Sequence, residues 1–344
     1  MELILHQSFN TLKNLASAWN ALLDESVTRA PFLRFEYLHT WWCTRGGGEW
    51  PEDSKLAVIT AHQGDELIGI APLFLTRNNE GQNALMLLGS IEISDFLDLI
   101  VRPGDLEAFS SALLGWLQTS YPEPWQLLDF YNIPESSPSL AVLKKLAEQF
   151  KWEYEESIYQ PSPYIPLPGD FQIYLSQIDK KQRHELRRKM RRAYESGHLI
   201  RWYIVDNEND LSQEMDTFLG LMAKDPVKAY FLSTPMRVQM KKTAEAAFKA
   251  GYLQLAFLVV DEEKASAYLS FDFDNKIWVY NSGIDPVFMD LSAGWVLLGS
   301  LIEWANEHQR REFDFLRGPE DYKYKLGGKP RNVMRVRIAH PQTD

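Results

Sequence analysis

The sequence predicts an α/β protein of the α+β kind: two tandem units with one element order, each a mostly antiparallel sheet covered by helices on both faces. Three observations carry this. A proline-rich stretch divides the 344 residues near their midpoint. A β-α-α-β-β-β-α-β-α-β order is legible on each side of it. The hairpins of the two halves fall about 200 residues apart, as duplication of one module requires.

The first half opens with a strand, Leu3 to His6, and a helix from Ser8 with Leu12, Leu15, Trp19 and Leu22 at helical spacing. A second helix runs from Arg34 to Thr44. Strands Lys55 to His62 and Glu66 to Leu75 flank the turn Gln63-Gly64-Asp65, and Ala84 to Leu88 and Phe96 to Val101 extend the sheet. Helix Asp105 to Thr119, strand Trp125 to Tyr131, helix Ser139 to Phe150 and strand Trp152 to Ile158 complete it. Four prolines (Pro161, Pro163, Pro166, Pro168) then forbid helix. The second half repeats the order: strand Leu199 to Val205, helices Glu208 to Met222 and Pro235 to Ala250, hairpin strands Tyr252 to Val260 and Ala265 to Phe273, and strand Ile277 to Ser282. Helix Ser292 to Glu307, strand Phe313 to Leu316, helix Asp321 to Lys325 and strand Val333 to Ile338 follow. The expected organisation is a first domain at 1–158, a linker at 159–169, a basic helical segment at 170–198 and a second domain at 199–344.

Composition places the chain among ordered globular proteins: 45% of residues are hydrophobic, 24% charged and eleven are tryptophan. The net charge of −11 repels DNA and anionic surfaces from the molecule as a unit. It is unevenly spread, with 10 basic and 22 acidic side chains in residues 1–160. The second half therefore holds the cations that could grip an anion. Cys43 is the only cysteine and no Cys/His cluster exists, so neither a disulfide nor a structural metal is expected. The amino terminus lacks a signal-peptide pattern and no apolar run reaches the length of a membrane span, so a soluble, cytoplasmic protein is expected.

Between the linker and the second repeat, Lys180 to Arg192 carries eight Lys/Arg and one Glu. Ile178, Leu186, Met190 and Tyr194 give it a narrow apolar stripe. Two readings stand: a solvated helix drawn to the acidic first half, or an anion clamp in which Arg187 and Arg191 grip phosphate or carboxylate. No GxSxG elbow, HExxH or Walker A pattern is present, which removes hydrolase, zinc-protease and ATPase readings, and the lack of a GxGxxG after a strand gives a dinucleotide fold little support.

Phe271 to Gly283 running into Ser292-Ala-Gly-Trp-Val-Leu-Leu, followed by Phe313-Asp-Phe-Leu-Arg-Gly-Pro-Glu-Asp-Tyr-Lys-Tyr-Lys-Leu-Gly327, resembles the Gcn5-related acetyltransferase (GNAT) superfamily in its BioF2-like, or CelD-like, branch, which is related to the FemAB aminoacyltransferases. Ser94-Asp-Phe-Leu-Asp-Leu-Ile100 and the basic helix are similar to the same branch. The resemblance implies tandem acyltransferase folds with the second active, acetyl-CoA or another acyl-CoA as co-substrate without a metal, and an amine or hydroxyl on a small-molecule or cell-envelope acceptor. It leaves open an aminoacyl-tRNA donor, or a non-catalytic scaffold of polysaccharide assembly.

The helix beginning at Ser292, Ala293 and Gly294 offers unpaired N–H groups to a pyrophosphate, with Ser292 as N-cap and Gly294 permitting close approach. Only Gly294 matches the superfamily's usual pyrophosphate motif in the window from Met289. By resemblance, Tyr322-Lys323 maps onto the aromatic-lysine pair that FemAB proteins place near the acyl donor. Lys323 would then stabilise an oxyanion and Tyr322 protonate a leaving thiolate. Arg317 and Lys325 lie within reach of that site. Asp314 is either a base for the attacking amine or a structural carboxylate, and Asp95 and Asp98 are candidates to line the acceptor cleft.

Overall fold

The computed structural model describes residues 1–340. In chain order the elements are β1 (Glu2–His6), α1 (Ala16–Asp24), α2 (Phe35–Gly48), β2 (Lys55–Leu56), β3 (Val58–Gln63), β4 (Glu66–Ala71), β5 (Leu73–Arg77), β6 (Asn83–Leu87), β7 (Ile100–Val101), α3 (Leu106–Thr119), β8 (Leu127–Pro134), α4 (Pro138–Phe150) and β9 (Glu153–Pro161). They continue with β10 (Tyr164–Pro166), α5 (Phe171–Gln177), α6 (Lys180–Tyr194), β11 (Ile200–Ile204), α7 (Glu208–Met222), α8 (Pro226–Phe231), α9 (Thr234–Lys249), β12 (Leu253–Val260), β13 (Glu263–Phe273), β14 (Lys276–Ile284), α10 (Ala293–Glu307), β15 (Glu312–Asp314), α11 (Asp321–Lys325) and β16 (Asn332–Ala339). Short 3-10 turns sit before α1 and α2 and at Pro286–Leu291.

Two compact units result, one comprising Met1–Pro161 with the chain's last segment from Asn332, the other Ser162–Arg331. The first holds two sheets, β1-β3-β4-β7 and β2-β5-β6-β8-β16-β9; the second holds one, β10-β15-β14-β13-β12-β11. Each unit has a single kind of parallel junction in an otherwise antiparallel arrangement: β6 beside β8, and β14 beside β15. Along the chain the expected order is recognisable with additions: six strands, β2 to β7, follow α2 in the first half, and an extra helix, α8, stands between α7 and α9 in the second.

Four features differ from the sequence reading. Strand β16 completes the first unit, lying antiparallel between β8 and β9, so the second domain does not run to the end of the chain. Arg335 fixes it there, gripping the fully buried Asp129 at 2.8 and 2.9 Å through a two-pronged contact. Reciprocally, the supposed linker supplies β10, which pairs with β15, because Tyr164 to Pro166 needs only an edge position where missing proline donors cost nothing. The long strand expected over Glu66 to Leu75 is two strands in two sheets, broken at Pro72, which cannot donate to a ladder. Of Phe96 to Val101 only the last two residues are strand.

In the second unit α10 lies on the sheet with Val296, Leu297, Leu298, Leu301 and Ile302 all buried, each side chain contributing about 1.5–3 kcal/mol. The basic helix α6 is part of this unit. Leu186 and Met190 dock against α10, where a side chain at Gly299 would meet Met190 Sδ at 3.0 Å and Leu186 Cδ1 at 3.2 Å. Tyr194, placed on the apolar stripe by its spacing, is instead 47% exposed. The charge repulsion along α6 is eased by Glu185, which bonds Arg188 at 2.9 and 2.8 Å.

Candidate functional site

Pairing between β14 and β15 is confined to Lys276–Trp278 and Glu312–Asp314. Two devices end it. On β14 the register against β13 shifts between Leu269 and Ser270, leaving Tyr280 as an extra residue, and such a bulge bends and re-aims a strand. On the other strand, the chain turns at Leu316, with φ 58°, and Gly318, with φ 121°. Glycine suits the second position because a side chain is strained at that φ. Past Trp278 the edge of β14 is therefore free of β15.

The α10 amino terminus stands beside this opening, since a side chain at Gly294 would meet Ile284 Cδ1, at the end of β14, at 2.5 Å. Gly294 thus serves helix-strand packing, where the sequence suggested approach by a ligand. Ser292 is the N-cap residue by position, but its left-handed backbone leaves it without a side-chain cap bond. Its Oγ instead accepts from Arg192 Nη2 at 3.0 Å. Lys189 Nζ lies 4.0 Å from the Trp295 ring. The C-terminal half of α6 therefore brings two cations, Lys189 and Arg192, to the positive end of α10, a combination suited to an anion. Ala293 is buried, and its carbonyl accepts from Ser266 Oγ at 3.1 Å.

Two phenols face the same place. Tyr268 is buried, with its hydroxyl 3.4 Å from the Gly294 carbonyl, and Tyr322 packs edge-on to Phe315. Burial raises both above the usual phenol range; Tyr322 adds to the effect on Tyr268, and Glu320 to that on Tyr322. Both hold their protons at neutral pH.

Other expected site residues are engaged elsewhere. Lys323 is 2% exposed; its Nζ donates to the carbonyls of Leu316, Arg317 and Gly318 at 3.2, 2.7 and 3.3 Å and pairs with Glu320 at 2.9 Å. Its charge is used to hold the turn, which corrects the expectation of an oxyanion-stabilising lysine. Asp314 is fully buried, accepts from the Leu316 amide at 2.8 Å and is ion-paired with Arg331, which also bonds Glu312 at 3.0 Å. Burial pushes its carboxyl up, to about 6, while Arg331 pulls against that shift. A carboxylate so enclosed is structural; it is not a base open to an amine.

Lys325 is exposed on α11, and Arg317 lends its carbonyl to Lys323. On α6, Arg187 bonds Gln172 at 2.7 Å and Arg191 lies 3.9 Å from Glu195. Asp95 and Asp98 belong to the first unit. Asp98 is fully buried and accepts from Thr28, Ser137 and the Leu99 amide at 2.6, 2.5 and 2.8 Å. It fastens a loop, so it does not line a cleft, and burial raises its pKa. Asp95 is buried to 9% exposure. The sequence reading missed Arg192, Lys189, Tyr268 and Glu320. The first two were visible within the basic helix, but their aim depends on the docking of α6.

Residues 180–324 match the acetyltransferase (GNAT) domain family. Among solved structures the fold is similar to FemX, at TM-score 0.68 and 12% identity over 98% of this chain and 97% of that one. It is also similar to a conserved protein of unknown function from Bacteroides thetaiotaomicron, at 0.62 and 13% over 98% and 100%, and to L-PGS from Bacillus licheniformis, at 0.55 and 12% over 95% and 92%. Identities this low establish a shared fold. No curated protein matches the sequence. Among the described residues there is no group of side chains suited to a metal and no helix long and apolar enough to cross a membrane.

Proposed function

We propose, from the premise that this chain carries a GNAT-superfamily transferase domain at residues 180–324, that it moves an acyl group from acyl-CoA to an amine or hydroxyl of a small-molecule or cell-envelope acceptor. One observation carries the reading: the edge of β14 is released beside a helix amino terminus that has no side-chain cap and is flanked by Arg192 and Lys189. The phosphates of the donor fit that terminus. The thioester supplies the activated carbonyl, and the acceptor N–H or O–H adds to it, forming a C–N or C–O bond as the C–S bond breaks. Tyr322, kept protonated by burial, supplies the proton the leaving thiolate takes. The proton the acceptor loses passes to solvent at the open edge of the site.

A second reading, an aminoacyl-tRNA donor, is favoured by the exposed cations Arg187, Arg188 and Arg191 along the outer side of α6. The two readings part in a thiol-release screen of the full chain with acetyl-CoA and longer acyl-CoAs. Release of free coenzyme A that falls at least tenfold in Tyr322→Phe supports the first. No release with any acyl-CoA, together with tRNA binding that weakens steeply with salt, replaces it with the second.

A further inference from the structure

A second feature adjoins the released end of β14. A cavity of about 340 Å3 lies among the end of α7, α8, the last residues of β14 and the 3-10 turn that follows. Its wall is mainly apolar: Met222, Pro226, Ile284, Pro286 and Met289. Large apolar side chains continue outward on the same two short helices, Val227 and Tyr230 exposed by 79% and 93%, Val287 and Met289 by 80% and 69%. At about 30 Å3 for each water-sized group, the cavity holds about eleven such groups, far more than the three non-hydrogen atoms of an acetyl group.

Lys224, Asp225 and Lys228 also line the cavity; Lys224 is paired with Asp285, and Asp225 and Glu320 act on Lys228 through space. Lys228 Nζ donates to the Ser282 carbonyl at 2.6 Å and to its hydroxyl at 3.2 Å, both neutral partners on β14. Among the described residues no carboxylate bonds it. The nearby acids are otherwise occupied: Asp225 accepts the Val227 and Lys228 amides at 2.8 and 3.2 Å, Asp285 takes Lys224, and Glu320 takes Lys323. Burial also lowers the Lys228 pKa, as expected for an ammonium without a directly bonded anion. A mainly apolar pocket with a few polar groups converging on it is the general form of a site that fixes both the shape and the orientation of a small ligand.

We infer that this cavity receives the acceptor, and that the acceptor is an aliphatic amino or hydroxy acid of about ten non-hydrogen atoms whose carboxylate lies against Lys228. Its chain rests on Met222, Ile284 and Met289, and its nucleophile points toward the opening beyond Trp278. This rests on the transferase reading, which it sharpens by naming the acceptor's chemistry.

Calorimetric titration of the full chain with octanoate, 1-octanol and octylamine tests the chemistry, with coenzyme A titrated in parallel. Octanoate is expected to bind at least tenfold more tightly than the alcohol or the amine. Lys228→Met should erase that preference while leaving octanol binding within about twofold, and Met289→Trp, at an exposed position, should weaken all three. Equal affinity for octanoate and octanol, or an unchanged preference in Lys228→Met, overturns the inference. Should Lys228→Met fail to fold, Met289→Trp decides alone: undiminished octanoate binding places the ligand elsewhere and overturns it. If coenzyme A binds and octanoate does not, the inference fails and the transferase reading stands. If octanoate binds and coenzyme A does not, the acceptor role falls with the donor site.

Discussion

Lys323→Met separates a structural lysine from a catalytic one. The wild-type ammonium is almost fully buried and holds three carbonyls, of which the Arg317 contact at 2.7 Å is short and those to Leu316 and Gly318 are longer. A hydrogen bond to a charged group contributes about 1.5–3 kcal/mol, and the pair with Glu320, half in water, adds at most about 1 kcal/mol. Methionine fills similar space but leaves the buried Leu316 carbonyl without this donor, so a loss of about 3 kcal/mol is expected. For a unit of the size of Ser162–Arg331, each kcal/mol lowers Tm by about 2–4 °C, giving a fall of roughly 6–12 °C. Thermal unfolding followed by circular dichroism, with urea unfolding as a check, measures it. A variant with wild-type Tm and abolished transfer refutes this account and returns Lys323 to the chemistry.

Further outcomes follow from the same geometry. Gly318→Ala puts a side chain on a strained backbone, at a cost of about 1–3 kcal/mol in urea unfolding. Arg331→Met leaves Asp314 and Glu312 without their shared cation, and breaking such a buried pair costs about 3–5 kcal/mol; a loss under 1 kcal/mol would mean the pair is not buried as described. Leu186→Ala should cost about 2–5 kcal/mol and speed amide exchange in α6 more than in β12. For Asp98, whose folded pKa is raised by burial, the favourable contribution is full below the unfolded value of about 3.9 and is lost as pH rises through the folded pKa. Stability of the wild type relative to Asp98→Asn should therefore improve on acidification from pH 7 to pH 4, and parallel pH curves would contradict this.

Much of the architecture was legible because it rests on local pattern. A helix such as Glu208 to Met222 falls where its apolar spacing and its Asn207 cap put it. Destinations of strands were not legible. Nothing in Val333 to Ile338 distinguishes a strand of its own half from one inserted between β8 and β9, since both need the same alternation; the ionic grip of Arg335 on Asp129 joins residues about 200 apart. The site divides the same way. Tyr322 and the α10 terminus were singled out through the residues that resemble a family; Tyr322 acts on Tyr268, whose hydroxyl lies 3.4 Å from the Gly294 carbonyl. Lys323 and Asp314 share that stretch of chain, yet their partners, three backbone carbonyls and Arg331, are set by tertiary folding that no spacing rule reports. Arg192 and Lys189 were visible only as charge, until docking of Leu186 and Met190 fixed their direction.

Hydrogen exchange on the full chain, with and without acetyl-CoA and resolved by peptide, tests most directly whether the released strand edge and the helix terminus form the donor site. The account predicts protection concentrated in residues 279–296 and at the end of α6, lost in the Lys189→Glu, Arg192→Glu double variant. Binding of acetyl-CoA that leaves those peptides unchanged, or that protects only peptides of the first unit, would contradict it.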